Sequence, residues 1–287
     1  MTLSLKSRFA QPRIVLAPGV YDALTASLAE GAGFEAAYIS GASIAYTRLG
    51  RPDIGLVSMA EVADTGYGNA LNMQRTMRLF ERAGANALQI EDQNFPKRCG
   101  HLADKGVIAT AEMVGKIKAA TDARASDETL VIARTDAIAV EGFDRALERA
   151  HAYAQAGADM LFVEAPGSAD DLSRIVSELH GKLPLMANMV EGGRTPIKSA
   201  EELEAQGFSL VIFPGAIVRA LARAAQDFYA SLRANGTTDP FRHRMFDFDQ
   251  LNAVIGTPQM IAAGRQYEAE QIVAAQMISA QDSKQAS

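Results

Sequence analysis

The stretch Ala156–Ala165, AGADMLFVEA, contains the unit on which the fold is built. A glycine between two alanines precedes a short, continuous apolar run that ends in a carboxylate. Similar units begin at Ala32, Ala83 and Gln206. Glycine can end a helix there because it adopts the left-handed backbone conformation without a Cβ clash. A continuous apolar run is typical of a strand buried on both faces of a parallel sheet. The sequence therefore predicts repeated strand–helix units.

Polar residues follow nearly every predicted strand, which favours a closed barrel with one functional face over a doubly wound sheet. The fold class predicted is α/β, a (β/α)8 TIM-type barrel with a C-terminal helical extension. Seven strands are predicted, at Ile14–Ala17, Ala36–Gly41, Ala87–Asp92, Leu130–Asp136, Met160–Ala165, Leu183–Asn188 and Leu210–Gly215.

The third strand–helix unit is too short. Only 22 residues separate Gly41 from Asp64, whereas a barrel unit averages about 30 residues. Either the third strand is compressed into Leu56–Ala63, or this part of the barrel is abnormal.

Two domains are predicted. Residues 1–235 form the catalytic barrel, and residues 236–287 form a helical extension that packs on the barrel or on a neighbouring subunit. The boundary follows from the turn-rich segment Asn235–Pro240. The extension is too short to build a core of its own.

Composition narrows the function classes. The net charge of −6 argues against nucleic acid as the main partner, because phosphate binding needs a basic surface. No apolar run reaches the roughly 20 residues of a membrane span. The chain has one cysteine, and its first residues lack the apolar centre of a secretory signal, so a reducing cytoplasm is expected.

The segment Glu91–His101, EDQNFPKRCGH, combines acidic, basic, thiol and imidazole groups within eleven residues. Loops after buried strands are where catalytic groups concentrate. The cationic neighbours of Cys99 favour the thiolate, and a thiol with a pKa near neutrality can act as an acid or a base. A nucleophilic role for Cys99 is the alternative, but it would need a histidine oriented by a third group.

Carboxylates outnumber histidines at the strand ends, which favours Mg²⁺ or Mn²⁺ over zinc or copper. Arg134 suits a bidentate contact with a substrate carboxylate or enolate oxygen. A metal and an arginine together can stabilise an enolate. The residues alone therefore predict a metal-assisted enolate enzyme that acts on a small carboxylic acid.

Several motifs resemble those of the isocitrate lyase/phosphoenolpyruvate mutase superfamily over about Ala17–Gly264. The motifs are Ser40–Ala42, Arg51–Gly55, Asp64–Gly68, Glu91–Gln93, Lys97–His101, Ala133–Asp136 and Asn188–Gly193. The resemblance implies a (β/α)8 barrel, a bound Mg²⁺ or Mn²⁺ and an enolate intermediate. It also implies a gating loop at about Asn94–Lys105 and a homotetramer that exchanges a C-terminal helix.

The resemblance also assigns site residues. Asp64 and Glu91 correspond to metal-site carboxylates. The substrate-binding residues implied are Ser40, Gly41, Ala42, Asp53, Gly100, Glu164 and Asn188. The catalytic residues implied are Cys99, Arg134, Tyr38, His101 and Lys97. Cys99 would protonate the carbanion that leaves as a succinate-type product, and Tyr38 is the candidate base for the 2-hydroxyl proton.

One motif departs from the family pattern Asp-x-Asp-Thr-Gly, in which both acids lie near the metal. Val62 stands in place of the first acid. Natural divergence, truncation of the third unit and compensation by Glu61 are the open explanations.

The function predicted is a Mg²⁺-dependent lyase that cleaves a C–C bond of a 2-hydroxy di- or tricarboxylate by retro-aldol chemistry. The products would be a 2-oxo acid and a carboxylate. Glu191–Pro196 and Cys99–Leu102 look more like the dimethylmalate lyase branch than the methylisocitrate lyases. Alternatives within the superfamily are oxaloacetate hydrolysis or decarboxylation and phosphonate chemistry. A non-catalytic barrel that serves as a binding subunit is the alternative from another class.

Overall fold

The computed structural model describes residues 4–58, 62–102, 104–179, 181–268 and 270–271. Within these ranges seven parallel strands form one sheet in the order β2-β1-β7-β6-β5-β4-β3. The strands are β1 (Val15–Val20), β2 (Tyr38–Ile39), β3 (Ala87–Glu91), β4 (Leu130–Thr135), β5 (Met160–Val163), β6 (Leu185–Asn188) and β7 (Leu210–Phe213). The predicted parallel α/β architecture and its seven strands are confirmed.

The curved sheet buries apolar side chains on both of its faces, as the continuous apolar runs predicted. All six residues of β4 are buried. The inner cluster includes Ile132, Phe162 and Ile212, together with Phe9 of the N-terminal segment. The outer cluster lies between the sheet and the helices and includes Met73 and Met77, both fully buried.

Helices connect the strands. They are α1 (Leu5–Phe9), α2 (Ala23–Gly31), α3 (Gly41–Ile44), α4 (Ala70–Arg82), α5 (Thr110–Ala123), α6 (Ile138–Glu141), α7 (Phe143–Gln155), α8 (Ala169–Leu179), α9 (Ala200–Gln206), α10 (Ala216–Asn235) and α11 (Phe248–Val254). A π-helical turn, Ala45–Leu49, follows α3, and a 3-10 helix covers Asp239–Arg244. Ser199 precedes α9 as its N-cap in a capping box with Glu202, and Gly207 ends the helix in the left-handed conformation.

The third unit explains the difference between the eight strands of a full barrel and the seven found in the described ranges. No strand forms within residues 40–58 or 62–86, so β2 and β3 are the two edges of the sheet. The predicted Leu56–Ala63 strand falls partly on residues 59–61, which lie outside the described residues. Its described parts are irregular. Near the carboxyl end of β3, the Glu91 N–H donates to the Asp64 carbonyl at 3.1 Å. Residues 62–64 therefore occupy part of the missing strand's position.

A cavity of about 970 Å³ lies where the remaining part of a third strand would stand. Its lining includes Val15, Tyr38, Leu88, Ile132 and Leu210, one from each of five strands beside the gap and inside the sheet. The shortage of residues noted in the sequence therefore appears in the fold as space inside the barrel.

The chain divides into two compact units between Ala222 and Arg223, within α10. In the second unit the rings of Phe228 and Phe241 pack edge to face with centroids 5.5 Å apart. The predicted packing of this extension on the barrel or on another subunit stays a prediction. None of the helices in the described ranges is long and apolar enough to cross a membrane.

Candidate active site

Arg134 is the centre of the polar residues at the carboxyl ends of the strands. It is the penultimate residue of β4 and lies beside Glu91, its register partner on β3. Arg134 and Asp136 lie two residues apart and so point to the same side of the sheet. The guanidinium group donates to both carboxylate oxygens of Asp136, at 2.7 and 2.9 Å. It also lies 3.4 Å from Glu91 and 3.4 Å from Glu164. Three buried acids therefore fix its orientation.

Asp92 supports this arrangement from behind. It accepts hydrogen bonds from the Asp136 N–H at 2.9 Å, from Thr135 Oγ1 at 2.8 Å and from Tyr153 at 2.7 Å. Arg149 lies 3.3 Å from the same carboxylate. Because Asp92 is fully buried and saturated with donors, it holds the segment after β4 rather than facing a substrate.

A second group of charges surrounds Lys97. Its ammonium group lies 2.9 Å from Asp53 Oδ2 and 3.1 Å from Asp64 Oδ1. Burial raises the pKa of the Glu91 carboxyl to about 8, an effect that Arg134 and Lys97 oppose. Burial likewise raises the pKa of Asp64. The predicted metal-site carboxylates and the predicted catalytic lysine therefore share one buried cluster.

The segment predicted to be a gating loop places Cys99, Gly100 and His101 over this site. The Cys99 N–H donates to the Asp53 carbonyl at 3.0 Å. A Cβ atom on Gly100 would lie 2.5 Å from Arg134 Nη2 and 2.6 Å from Glu164 Cδ, so only glycine permits this approach. The loop backbone therefore rests directly on the two side chains predicted to bind substrate.

Burial raises the pKa of the half-buried Cys99 thiol. The carboxylates of Glu164 and Asp53 add to this effect, while the His101 backbone and Arg134 oppose it. The expectation that cationic neighbours favour the thiolate is therefore wrong. Burial is the largest cause, and acids from distant segments add to it. A thiol that keeps its proton suits a general acid better than a nucleophile.

Glu164 connects β5 to the loop and to β6. It accepts from Asn188 Nδ2 at 3.2 and 3.3 Å and lies 3.2 Å from His101 Nε2. Although burial disfavours its charge, Arg134 and His101 hold the pKa of Glu164 below its usual range. His101 Nδ1 accepts from the Arg194 N–H at 3.1 Å. Glu164 and Asn188, predicted to bind substrate, are thus brought together with His101, predicted to be catalytic. These roles stay predictions.

Tyr38 lies one layer of side chains deeper inside the sheet than Glu91. Its hydroxyl group donates to Gln89 Oε1 at 3.1 Å, and Gln89 precedes Glu91 by two residues on the same side of β3. Loss of solvent raises the pKa of Tyr38 well above that of a free phenol, which works against its predicted role as a base. That role stays a prediction.

The predicted carboxylate cradle lies at the start of α3. Ser40 is the N-cap of this helix, and its hydroxyl group accepts from the Ser43 N–H at 3.2 Å. A Cβ atom on Gly41 would lie 3.1 Å from Val62 and 3.6 Å from Asp64, so the start of α3 adjoins the acidic cluster. Ala42 follows in the same turn. Binding of substrate by these three residues stays a prediction.

The donor set fits a hard cation such as Mg²⁺ in its chemistry. Asp53 Oδ1, Glu91 Oε1 and Asn188 Oδ1 are buried oxygens without a hydrogen-bond partner among the described residues. Such acceptors are costly unless a cation or a donor satisfies them. Across the described ranges, no group of three or more acidic, imidazole or thiol side chains is arranged to hold a metal ion, and Lys97 lies between Asp53 and Asp64. Glu61 lies outside the described residues, so compensation by its carboxylate stays a prediction.

Two residues of this site were not assigned a role from the sequence. Asp136 orients Arg134, and its spacing of two residues on a strand was an available signal. Lys105 Nζ donates to Asp136 Oδ1 at 2.9 Å. A lysine at the end of a polar loop carried no signal of this contact.

The family model described as phosphoenolpyruvate phosphomutase matches residues 63–233. The 2,3-dimethylmalate lyase of Eubacterium barkeri is 39% identical over 88% of this chain and 93% of its own length. The 2-methylisocitrate lyase of Aeropyrum pernix is 40% identical over 88% of this chain and 87% of its own length.

Solved structures agree with these relatives. A crystal structure of 2,3-dimethylmalate lyase matches with a TM-score of 0.87 and 34% identity, over 92% of this chain and 94% of that one. A phosphonopyruvate hydrolase solved with oxalate and Mg²⁺ matches with a TM-score of 0.81 and 28% identity, over 92% and 98%. The chain therefore belongs to the phosphoenolpyruvate mutase/isocitrate lyase superfamily.

Proposed function

We propose that the protein is a Mg²⁺-dependent carbon–carbon lyase that cleaves a 2-hydroxy di- or tricarboxylate to a 2-oxo acid and a carboxylate. The preferred substrates are 2-alkylmalates, of which 2,3-dimethylmalate is one, with 2-methylisocitrate next. The observation that carries this proposal is the close approach of Gly100, next to Cys99, to the buried Arg134 and Glu164. Burial raises the pKa of the Cys99 thiol, which favours its protonated form. Relatives with lyase names at about 40% identity support it.

The reaction would begin with loss of the proton from the 2-hydroxyl group. As the carbonyl group forms at C2, the C2–C3 bond breaks and its electron pair passes to C3 and the adjacent carboxylate. Cys99 would then donate its thiol proton to C3. Its raised pKa is the property an acid needs at neutral pH, because a thiolate has no proton to give.

Arg134 would bind the developing negative charge on oxygen. It is held on one side by Asp136 and lies over the Phe162 ring, with its carbon 5.2 Å from the ring centroid. A guanidinium group that is fixed before the reaction stabilises charge without the cost of reorganisation. His101 and Asn188 would keep Glu164 in place beside it.

Asp64 and Glu91 would hold Mg²⁺, with Asp53 nearby. When bound, the ion would polarise the oxygen at C2 and neutralise the substrate carboxylate.

The cytoplasmic location and the homotetramer with an exchanged helix also belong to this proposal, as properties expected of the superfamily.

A substrate screen tests the proposal. The purified protein with Mg²⁺ is incubated with 2,3-dimethylmalate, other 2-alkylmalates, 2-methylisocitrate, oxaloacetate and phosphonopyruvate, and release of 2-oxo acid, oxalate and phosphate is measured. We expect release of 2-oxo acid from a 2-alkylmalate or from 2-methylisocitrate. Turnover of oxaloacetate or phosphonopyruvate alone would favour the hydrolase alternative, which the likeness to phosphonopyruvate hydrolase supports.

The non-catalytic alternative is tested separately, by calorimetry with Mg²⁺ and oxalate. Binding of oxalate that requires Mg²⁺ is expected of a lyase site. A protein that binds neither would fit a barrel that has lost its chemistry along with its third strand.

A further inference from the structure

The loop that carries Cys99 is anchored at both of its ends. At its base, the Asn94 N–H donates to the Gly106 carbonyl at 3.0 Å, and Gln93 forms an antiparallel bridge with Val107. These backbone bonds close the loop into a ring. They fix where it leaves the barrel, but they do not fix where its tip lies.

Lys105 reaches from the base of this loop into the site. Its side chain is only 1% exposed, and Asp136, its partner on the barrel at 2.9 Å, is fully buried. The same ammonium group donates to the Gly100 carbonyl at the loop tip. One buried cation therefore joins the tip of the loop to the strand end that carries Arg134.

Such a contact is costly. A buried ammonium group loses its hydration, which a carboxylate and a carbonyl must replace, and an apolar side chain would fill the same place without this cost. The cation is therefore better explained by what it positions than by stability. It lies on Gly100, the residue adjacent to Cys99, at the point where the loop touches Arg134 and Glu164.

We propose that Lys105 is a positioning residue that holds the loop tip on the barrel and so sets the place of the Cys99 thiol. This inference rests on the proposed function for its catalytic consequence, but not for the latch itself. Lys105 does not touch the reacting atoms in this proposal. It acts through Asp136 on one side and Gly100 on the other.

The reactivity of Cys99 tests the latch without any substrate. Because the chain has a single cysteine, its rate of alkylation by iodoacetamide reports only on this loop. Lys105→Met should raise that rate by about tenfold or more, since a loop that opens exposes the thiol. The matched control is Lys118→Met, a change of an exposed lysine on α5, which should leave the rate unchanged.

A rise in Lys105→Met with no rise in the control supports the latch, and an unchanged rate in Lys105→Met overturns it. Circular dichroism must show that the variant is folded. If it is not, Lys105→Gln, which keeps a hydrogen-bond donor but not the charge, replaces it under the same criterion.

The catalytic consequence has its own readout. Lys105→Met should lower kcat for release of 2-oxo acid more than it raises KM, and Lys105→Arg, which keeps the charge, should restore part of kcat. If the wild-type protein turns over none of the lyase substrates, the proposed function fails while the alkylation result still decides the latch.

Discussion

Replacing Asp136 by Asn should destabilise the fold strongly. The carboxylate neutralises two buried cations, Arg134 at 2.7 Å and Lys105 at 2.9 Å. Although burial disfavours its charge, these cations hold the pKa of Asp136 well below its usual range. Removing one partner of a buried ion pair costs about 3–5 kcal/mol, because the other charge stays buried without compensation.

The lower part of that range applies to Arg134, which keeps the charged Glu164 at 3.4 Å. Lys105 keeps only a carbonyl oxygen. We therefore expect a loss of about 3 kcal/mol in the free energy of unfolding, a large share of the roughly 5–15 kcal/mol that domains possess. Urea unfolding followed by circular dichroism measures this loss, provided that the slope of unfolding free energy against urea concentration is the same in the variant and the wild type.

The matched control is Asp144→Asn. Asp144 also pairs with an arginine at 2.9 Å, but the two side chains are 82% and 52% exposed. Exposed pairs contribute about 0–1 kcal/mol, so this variant should unfold nearly as the wild type does. A loss below about 1 kcal/mol for Asp136→Asn, or equal losses for the two variants, would refute the account of the buried cluster.

Three further predictions concern the site. Burial raises the pKa of Glu91 to about 8, so between about pH 5 and 8 the folded protein keeps a proton that the unfolded chain releases. In EDTA the free energy of unfolding should fall as pH rises through this window, by up to ~1.4 kcal/mol per pH unit more in the wild type than in Glu91→Gln. Equal slopes of unfolding free energy against pH in the two proteins would contradict this prediction. Lys97→Met removes the cation between Asp53 and Asp64, so calorimetry should show that Mg²⁺ binds at least ~10-fold more tightly than to the wild type. The control Lys118→Met should leave the Mg²⁺ affinity unchanged. Weaker Mg²⁺ binding by Lys97→Met would mean that this lysine does not compete with the metal. Gly100→Ala should lower kcat by at least ~100-fold, because the new Cβ atom would clash with Arg134. The control Gly115→Ala should keep full activity, because nothing lies within 4 Å of its Cβ position. A similar kcat in both variants would show that the close approach of Gly100 to Arg134 is unimportant.

The sheet could be predicted from the sequence because its strands are buried on both faces. A continuous apolar run such as Met160–Val163 needs no partner to be recognised, and the glycine before it marks the end of a helix. The short third unit was also visible, because chain length alone shows that Gly41 and Asp64 are too close for a strand and a helix. The cavity this leaves was not predictable, since it depends on how far β2 and β3 approach each other.

The sequence predicts which residues form the site, but it does not predict the charges that surround each of them. Cys99 is next to lysine and arginine in the sequence, yet its pKa is set by burial and by Glu164 and Asp53, which come from other segments. The contact of Lys105 with Asp136 likewise joins residues 31 positions apart. Local sequence identifies which groups come to the strand ends, whereas the charges that each one meets depend on the folded barrel.

The most direct test of the central claim compares the wild-type protein with Cys99→Ser on the lyase substrate found by the screen. Serine keeps the shape of the side chain but is a much weaker acid. We predict that release of 2-oxo acid is lost while calorimetry still detects substrate binding in the presence of Mg²⁺. Undiminished turnover by Cys99→Ser would contradict the account, because it would remove the thiol from the reaction.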